Sequence, residues 1–164
     1  MSLTRLVRPE DPVVTALLGG LPVGAAAAEV IRAIEDEVAY WAIDPRPGPE
    51  RDYTAVAAAR AANCINFATI VCACLRRSGV RDAYVLMGSL FGSFPVGAHT
   101  WVVYGDGTDG RAYLMNPPSL RAEPLTARWV RSVDPVAAWN DQDVAVGRSV
   151  LPMLVAELKL EETA

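Results

Sequence analysis

The segment Asn63-Cys64-Ile65-Asn66-Phe67-Ala68-Thr69-Ile70-Val71-Cys72-Ala73-Cys74-Leu75-Arg76-Arg77-Ser78-Gly79 constrains this chain more than any other. It opens on an Asn, whose side chain can accept from an orphan backbone N–H as an N-cap. It ends on two arginines, which suit the negative end of a helix, and a glycine suited to a left-handed stop. Between those ends it is apolar on nearly every side. A helix of that kind must be buried all round, so it is expected at the centre of the domain with other elements packed about it.

Upstream, residues 10–24 carry Pro12, Gly19, Gly20, Pro22 and Gly24 and read as an irregular lead-in. From Ala25 to Trp41 the period is helical, with Val30, Ile31, Ile34, Val38 and Trp41 along one face. The run Asp44-Pro45-Arg46-Pro47-Gly48-Pro49 breaks it as a surface loop, and the alanine-rich stretch 52–62 favours helix again.

After Gly79 the period changes to two. Asp82–Met87 reads as a strand closed by Gly88-Ser89, and Leu90–Val96 as a loop. Ala98–Tyr104 and Arg111–Asn116 read as a hairpin around Gly105–Gly110, with Pro117-Pro118 ending the second strand. Beyond Leu120 the pattern weakens: Trp129–Trp139 suits a helix around Pro135, and Val150–Leu160 suits a helix or a strand. The expected class is α+β, one domain over 1–164 with its core in about 25–120 and a C-terminal extension at 121–164. A buried central helix packs on an antiparallel sheet.

The hairpin places chemistry. If Tyr104 and Arg111 flank the loop as a pair, His99 falls opposite Asn116 on one face, within about 4.5–5.5 Å between Cβ atoms. Cys64, at the first helical position behind an Asn cap, has its sulfur at the positive end of the helix dipole, which favours thiolate. A thiolate, an imidazole and a group that orients the imidazole make an activated nucleophile for acyl transfer. Cys64 also offers a backbone N–H as an oxyanion donor. Trp41 and Tyr40 are the candidates for a second one, and with Trp101 for the substrate-binding wall.

In order and spacing, these motifs resemble the transglutaminase-like (papain-related) superfamily of cysteine enzymes. They are Asn63-Cys64 on an apolar helix ending Leu75-Arg76-Arg77-Ser78-Gly79-Val80, a strand ending in Gly88, His99-Thr100-Trp101-Val102-Val103, and Leu114-Met115-Asn116-Pro117. Cys64 and His99 are 35 residues apart, and His99 and Asn116 are 17 apart. The resemblance implies Cys64 as nucleophile, His99 as base and Asn116 as the third member. Transglutaminase-like proteins usually have Asp at that third place, whereas papain-like enzymes use Asn. Thr100 stands where the family often has Ala, a difference without consequence for the triad.

Other chemistries fit less well. A free cysteine is often only a small buried hydrophobe, and that reading suits Cys72 and Cys74. Three cysteines and one histidine match a zinc stoichiometry, but Cys72 and Cys74 lie about 200° apart around a helix, and Cys64 about 12 Å from Cys72 along it. The Asp106–Asp109 turn lacks the spaced ligands and closing Glu of a calcium loop. No metal or cofactor is therefore expected.

Net charge is −4 and the basic residues are scattered, which argues against nucleic-acid binding. Alanine supplies much of the 52% hydrophobic content, and no run of 18 apolar residues lacks a charge. With no apolar signal region at the N-terminus, the expectation is a cytoplasmic protein off the membrane. Its expected partner is a peptide or acyl substrate. Hydrolysis of an amide leads; acyl transfer or cyclisation of a carrier- or peptide-bound acyl group, and a non-catalytic binding domain, are the alternatives.

Overall fold

The computed structural model describes residues 2–44, 52–90 and 97–161. Most of the loops expected at 44–49 and 90–96 lie outside these described residues. The first described elements are a short 3-10 turn at Leu3–Leu6 and helix α1, Pro12–Leu18. The prolines and glycines of this region look irregular in sequence, yet they are the signals of α1. Asp11 Oδ1 accepts from the Val13 N–H at 3.0 Å, Pro12 occupies the first turn, and Gly19 closes the helix at φ 57°. Helix α2, Ala27–Val38, is shorter than the expected 25–41 and buries Val30, Ile34 and Val38.

A two-residue strand β1 (Ala42–Ile43), helix α3 (Tyr53–Ala59) and strand β2 (Ala61–Ala62) follow. The expected helix 52–62 stops early because Arg60 turns left-handed at φ 47°, and its guanidinium meets the Glu37 carboxylate at 2.9 Å. The chain then pairs in parallel with β1, Ala42 beside Ala61 and Ile43 beside Ala62. It runs straight from β2 into helix α4, Cys64–Arg77. Every residue of α4 from Asn66 to Leu75 is buried, as its apolar surround requires.

The main sheet has six strands in the order β6-β5-β4-β3-β7-β8. Strands β3 (Ala83–Ser89), β4 (Ala98–Asp106), β5 (Arg111–Met115) and β6 (Ala122–Pro124) form an antiparallel run. Gly88 lies inside β3 rather than closing it. A Cβ there would sit 2.3 Å from the Val133 carbonyl oxygen, so only glycine lets the two backbones approach.

The C-terminal third builds the rest of the sheet. Helix α5, Ala127–Ser132, is capped by Thr126, whose hydroxyl accepts from the Trp129 N–H. The helical expectation for 129–139 fails past Ser132, because Asp134 is left-handed at φ 43° and Pro135 follows. The chain instead forms β7 (Ala137–Trp139) against β3, then β8 (Val144–Val146). Helix α6, Val150–Leu158, resolves the last ambiguity in favour of helix, with Pro152 tolerated in its first turn.

Strand alternation sorts the core into two layers around the sheet. Val85, Val102, Tyr104, Met115 and Trp139 face α4 and the helices around it. Leu86, Trp101, Val103 and Leu114 face α5 and α6, where Val130, Leu154 and Leu158 meet them. Among the described residues, no helix is long and apolar enough to cross a membrane.

Candidate active site

Cys64 is the first residue of α4. Asn63 caps the helix by accepting the Asn66 N–H on its side-chain oxygen at 2.9 Å. The Cys64 N–H has no acceptor within its own helix. The sulfur is half-buried at the end of the buried helix, while Cys72 and Cys74 are fully enclosed along it. Burial pushes both of those thiols far above the ordinary range.

His99 lies near the start of β4, beside Gly88 of β3. The hairpin register differs from the sequence expectation by two residues. Asp106, not Tyr104, pairs with Arg111, and Val102 pairs with Met115. Gly105 and Asp106 continue β4 because the turn closes tightly on its own side chains. Asp106 accepts from the Thr108 N–H and Asp109 from the Arg111 N–H, each at 2.8 Å. A shift of two preserves the faces, where a shift of one would have reversed them. It makes His99 and Asn116 diagonal neighbours rather than opposed ones. Diagonal neighbours remain within side-chain reach, and His99 Nε2 lies 2.7 Å from Asn116 Oδ1.

With Asn116 Oδ1 as acceptor, Nε2 carries the proton and Nδ1 keeps its lone pair. The ring also hydrogen-bonds the Cys64 side chain. Strand alternation would turn His99 away from α4, toward Trp101. However, β5 stops at Met115, opposite Val102, before its ladder reaches His99. At this frayed end of the sheet the imidazole meets both neighbours, the thiol of Cys64 and the edge of Trp101 at 4.9 Å between ring centroids.

The charges follow from these contacts. Burial alone would raise the Cys64 thiol. The nearby His99 and Thr100 side chains, the imidazolium charge and the Thr100 backbone outweigh it, so the pKa falls from 9.0 to about 7. Burial alone would lower the His99 imidazole. Its bonds to Cys64 and Asn116, with the thiolate charge, raise it above 6.5. The two shifts are two sides of one thiolate–imidazolium interaction.

The remaining candidates fall in different places. Trp101 is only 1% exposed and packs edge-on between His99 and Trp129. Its place as an open wall of the cleft is corrected: two neighbouring rings cover it, and it backs the histidine instead. Trp41 is 5% exposed within the α4 core, and its Nε1 is buried with no hydrogen-bond partner. Tyr40 is 80% exposed, so its ring is not packed against the core beside Trp41. Thr100, which the sequence presents only as a harmless departure from the family, joins the site through its effect on the Cys64 thiol. Its position next to His99, on the parity that faces α4, was the available signal. Among the described residues, no three His, Cys, Asp or Glu side chains come together as a metal-binding group.

No protein-family model and no curated protein matches the chain. Solved structures of Legionella pneumophila LapG do. One superposes with TM-score 0.55 at 15% identity, covering 90% of this chain and 82% of LapG. A calcium-bound form gives TM-score 0.55, 15% identity and coverages of 90% and 84%. An EGTA-treated form gives 0.54, 14%, 90% and 83%. The fold is α+β, and it is shared with LapG. At such low identity the likeness to LapG is one of fold, and the chemistry rests on this chain's own residues.

Proposed function

We propose that this protein is a cysteine-dependent acyl hydrolase acting on a peptide or amide bond, with Cys64 as nucleophile, His99 as acid and base, and Asn116 orienting His99. The observation that carries the reading is the chain of contacts from Cys64 through the His99 ring to Asn116 Oδ1, with the thiol drawn down to about 7. A thiol of that acidity is about half thiolate at pH 7, against about a hundredth for a thiol at 9.0, and thiolate is the form that attacks.

The reaction runs in two halves. The Cys64 thiolate adds to the carbonyl carbon, forming a C–S bond and an oxyanion. The Cys64 N–H at the start of α4 is one donor for that oxyanion, and the buried, unpartnered Trp41 indole N–H is our candidate for the second. As the C–N bond breaks, the His99 imidazolium gives its proton to the departing nitrogen, leaving a thioester on Cys64. Neutral His99 then takes a proton from water, which attacks the thioester and releases the carboxylic acid. Thiolate and imidazolium are restored.

The test is to incubate the protein and its Cys64→Ala variant with a complex peptide mixture and read new termini by mass spectrometry. New termini made only by the wild type are expected. Joined peptides in their place would mean that an amine, not water, resolves the same thioester. Identical mixtures from both proteins, with Cys64 inert to alkylation at neutral pH, would sink the proposal.

A further inference from the structure

Thr100 is 2% exposed, and its Oγ1 has no hydrogen-bond partner, sulfur included. A buried hydroxyl without a partner is unfavourable, and valine has the same shape without that penalty. The position therefore asks for a reason to keep the oxygen. Strand alternation supplies one. Thr100 shares the face of Val102 and Tyr104, both in the layer that packs on α4, and Cys64 opens that helix. On that face Thr100 lies close enough to the Cys64 thiol for its side chain and backbone to draw the thiol pKa down.

We infer that Thr100 is a fourth residue of the site, whose buried hydroxyl is held in place to donate a hydrogen bond to the Cys64 thiolate. A neutral thiol is a weak acceptor, so the hydroxyl is poorly satisfied while Cys64 is protonated. An ionised sulfur accepts strongly, and the bond to it is charge-assisted. The orphaned hydroxyl thus favours ionisation of Cys64. His99 and Thr100 are adjacent on β4, and both act on the Cys64 thiol. Acylation removes the charge and with it the bond, so the effect belongs to the free enzyme. This role rests on Cys64 being the nucleophile.

The test needs no substrate. Rates of Cys64 alkylation by iodoacetamide are measured from pH 5.5 to 9.5 for the wild type, Thr100→Val, Thr100→Ala and Thr100→Ser. Removing the hydroxyl should slow labelling about tenfold at pH 6 and change it less than about twofold at pH 9.5, where the sulfur ionises regardless. The serine variant should follow the wild type. Thermal melting separates this from a packing role: Thr100→Val should melt at or above the wild-type temperature while its labelling profile moves to higher pH. Thr100→Ala carries the same labelling test should the valine variant not fold. Superimposable profiles for wild type and hydroxyl-free variants overturn the role of Thr100 and leave the proposed function standing. A wild-type Cys64 that titrates like an ordinary thiol removes both.

Discussion

His99 Nε2 and Asn116 Oδ1 lie 2.7 Å apart across a strand end where the ladder no longer pairs their backbones. The contact is made by side chains alone, beyond Met115, the last residue of β5. It fixes the ring so that the nitrogen facing Cys64 is the basic one. A neutral amide can do this, but it cannot offset the charge of an imidazolium as a carboxylate would.

Asn116→Asp should therefore raise the His99 pKa further above 6.5. The imidazolium would persist to higher pH, moving the alkaline limb of the rate profile upward. Asn116→Ala leaves the ring without its orienting bond and should lower turnover by about tenfold or more, in line with one hydrogen bond worth about 1.4 kcal/mol. Peptide turnover across pH reads both. Unchanged rates in both variants would show that Asn116 merely follows the strand.

The three thiols should separate in reactivity. Limiting iodoacetamide near pH 7 should label Cys64 well before Cys72 or Cys74, because only Cys64 is brought down to about 7 while burial drives the others up. The sign with pH follows: an acid group with a lowered pKa ionises early, so the Cys64 labelling rate climbs through pH 7 and levels off well below 9. Digestion and mass spectrometry give each rate. Equal labelling of all three would remove Cys64 as nucleophile.

Gly88 offers a test of the scaffold. Gly88→Ala would place a methyl group 2.3 Å from the Val133 carbonyl, with backbone rather than a flexible side chain in the way. The strand or the end of α5 must shift, and the expected loss is about 1–3 kcal/mol, read as a lower melting temperature. Gly88 also pairs with His99, so Cys64 labelling at pH 7 should slow in the same variant. A melting temperature equal to wild type would mean that the segment at Val133 yields freely.

Much of this site is legible in the chain because its parts are local. An Asn cap before an all-apolar helix can be seen in sixteen or so residues, and the cap, the helix and the buried Cys72 and Cys74 lie as that pattern requires. The hairpin is legible in its faces but not in its register. The choice between ending β4 at Tyr104 and at Asp106 is made by the Asx turns of Asp106 and Asp109, which the glycines around them disguise. Helix α1 hides for the same reason, since its own capping residues mimic a loop. Strand β7 is unreadable locally: Ala137-Ala138-Trp139 has little strand character and exists because β3 has an edge to fill. The burial of Trp101 is likewise decided by a residue far along the chain, Trp129.

Trp41 makes the last test. Its indole nitrogen is buried with no partner, a state that costs the resting protein about 1–3 kcal/mol. The ring sits just before β1, which is held beside β2 by the bond from the Ala42 N–H to the Arg60 carbonyl at 2.8 Å and from the Asp44 N–H to the Ala62 carbonyl at 3.0 Å. Since β2 leads directly into Asn63 and Cys64, this small sheet ties Trp41 to the start of α4. Trp41→Phe removes the N–H and keeps most of the aromatic packing. If the N–H serves the oxyanion, kcat should fall about 100-fold, the scale seen for loss of one such donor. Cys64 alkylation, which develops no oxyanion, should be nearly unchanged, and so should the melting temperature. A variant that loses stability but keeps kcat would make Trp41 a core residue only, and the second donor would have to come from another group near Cys64.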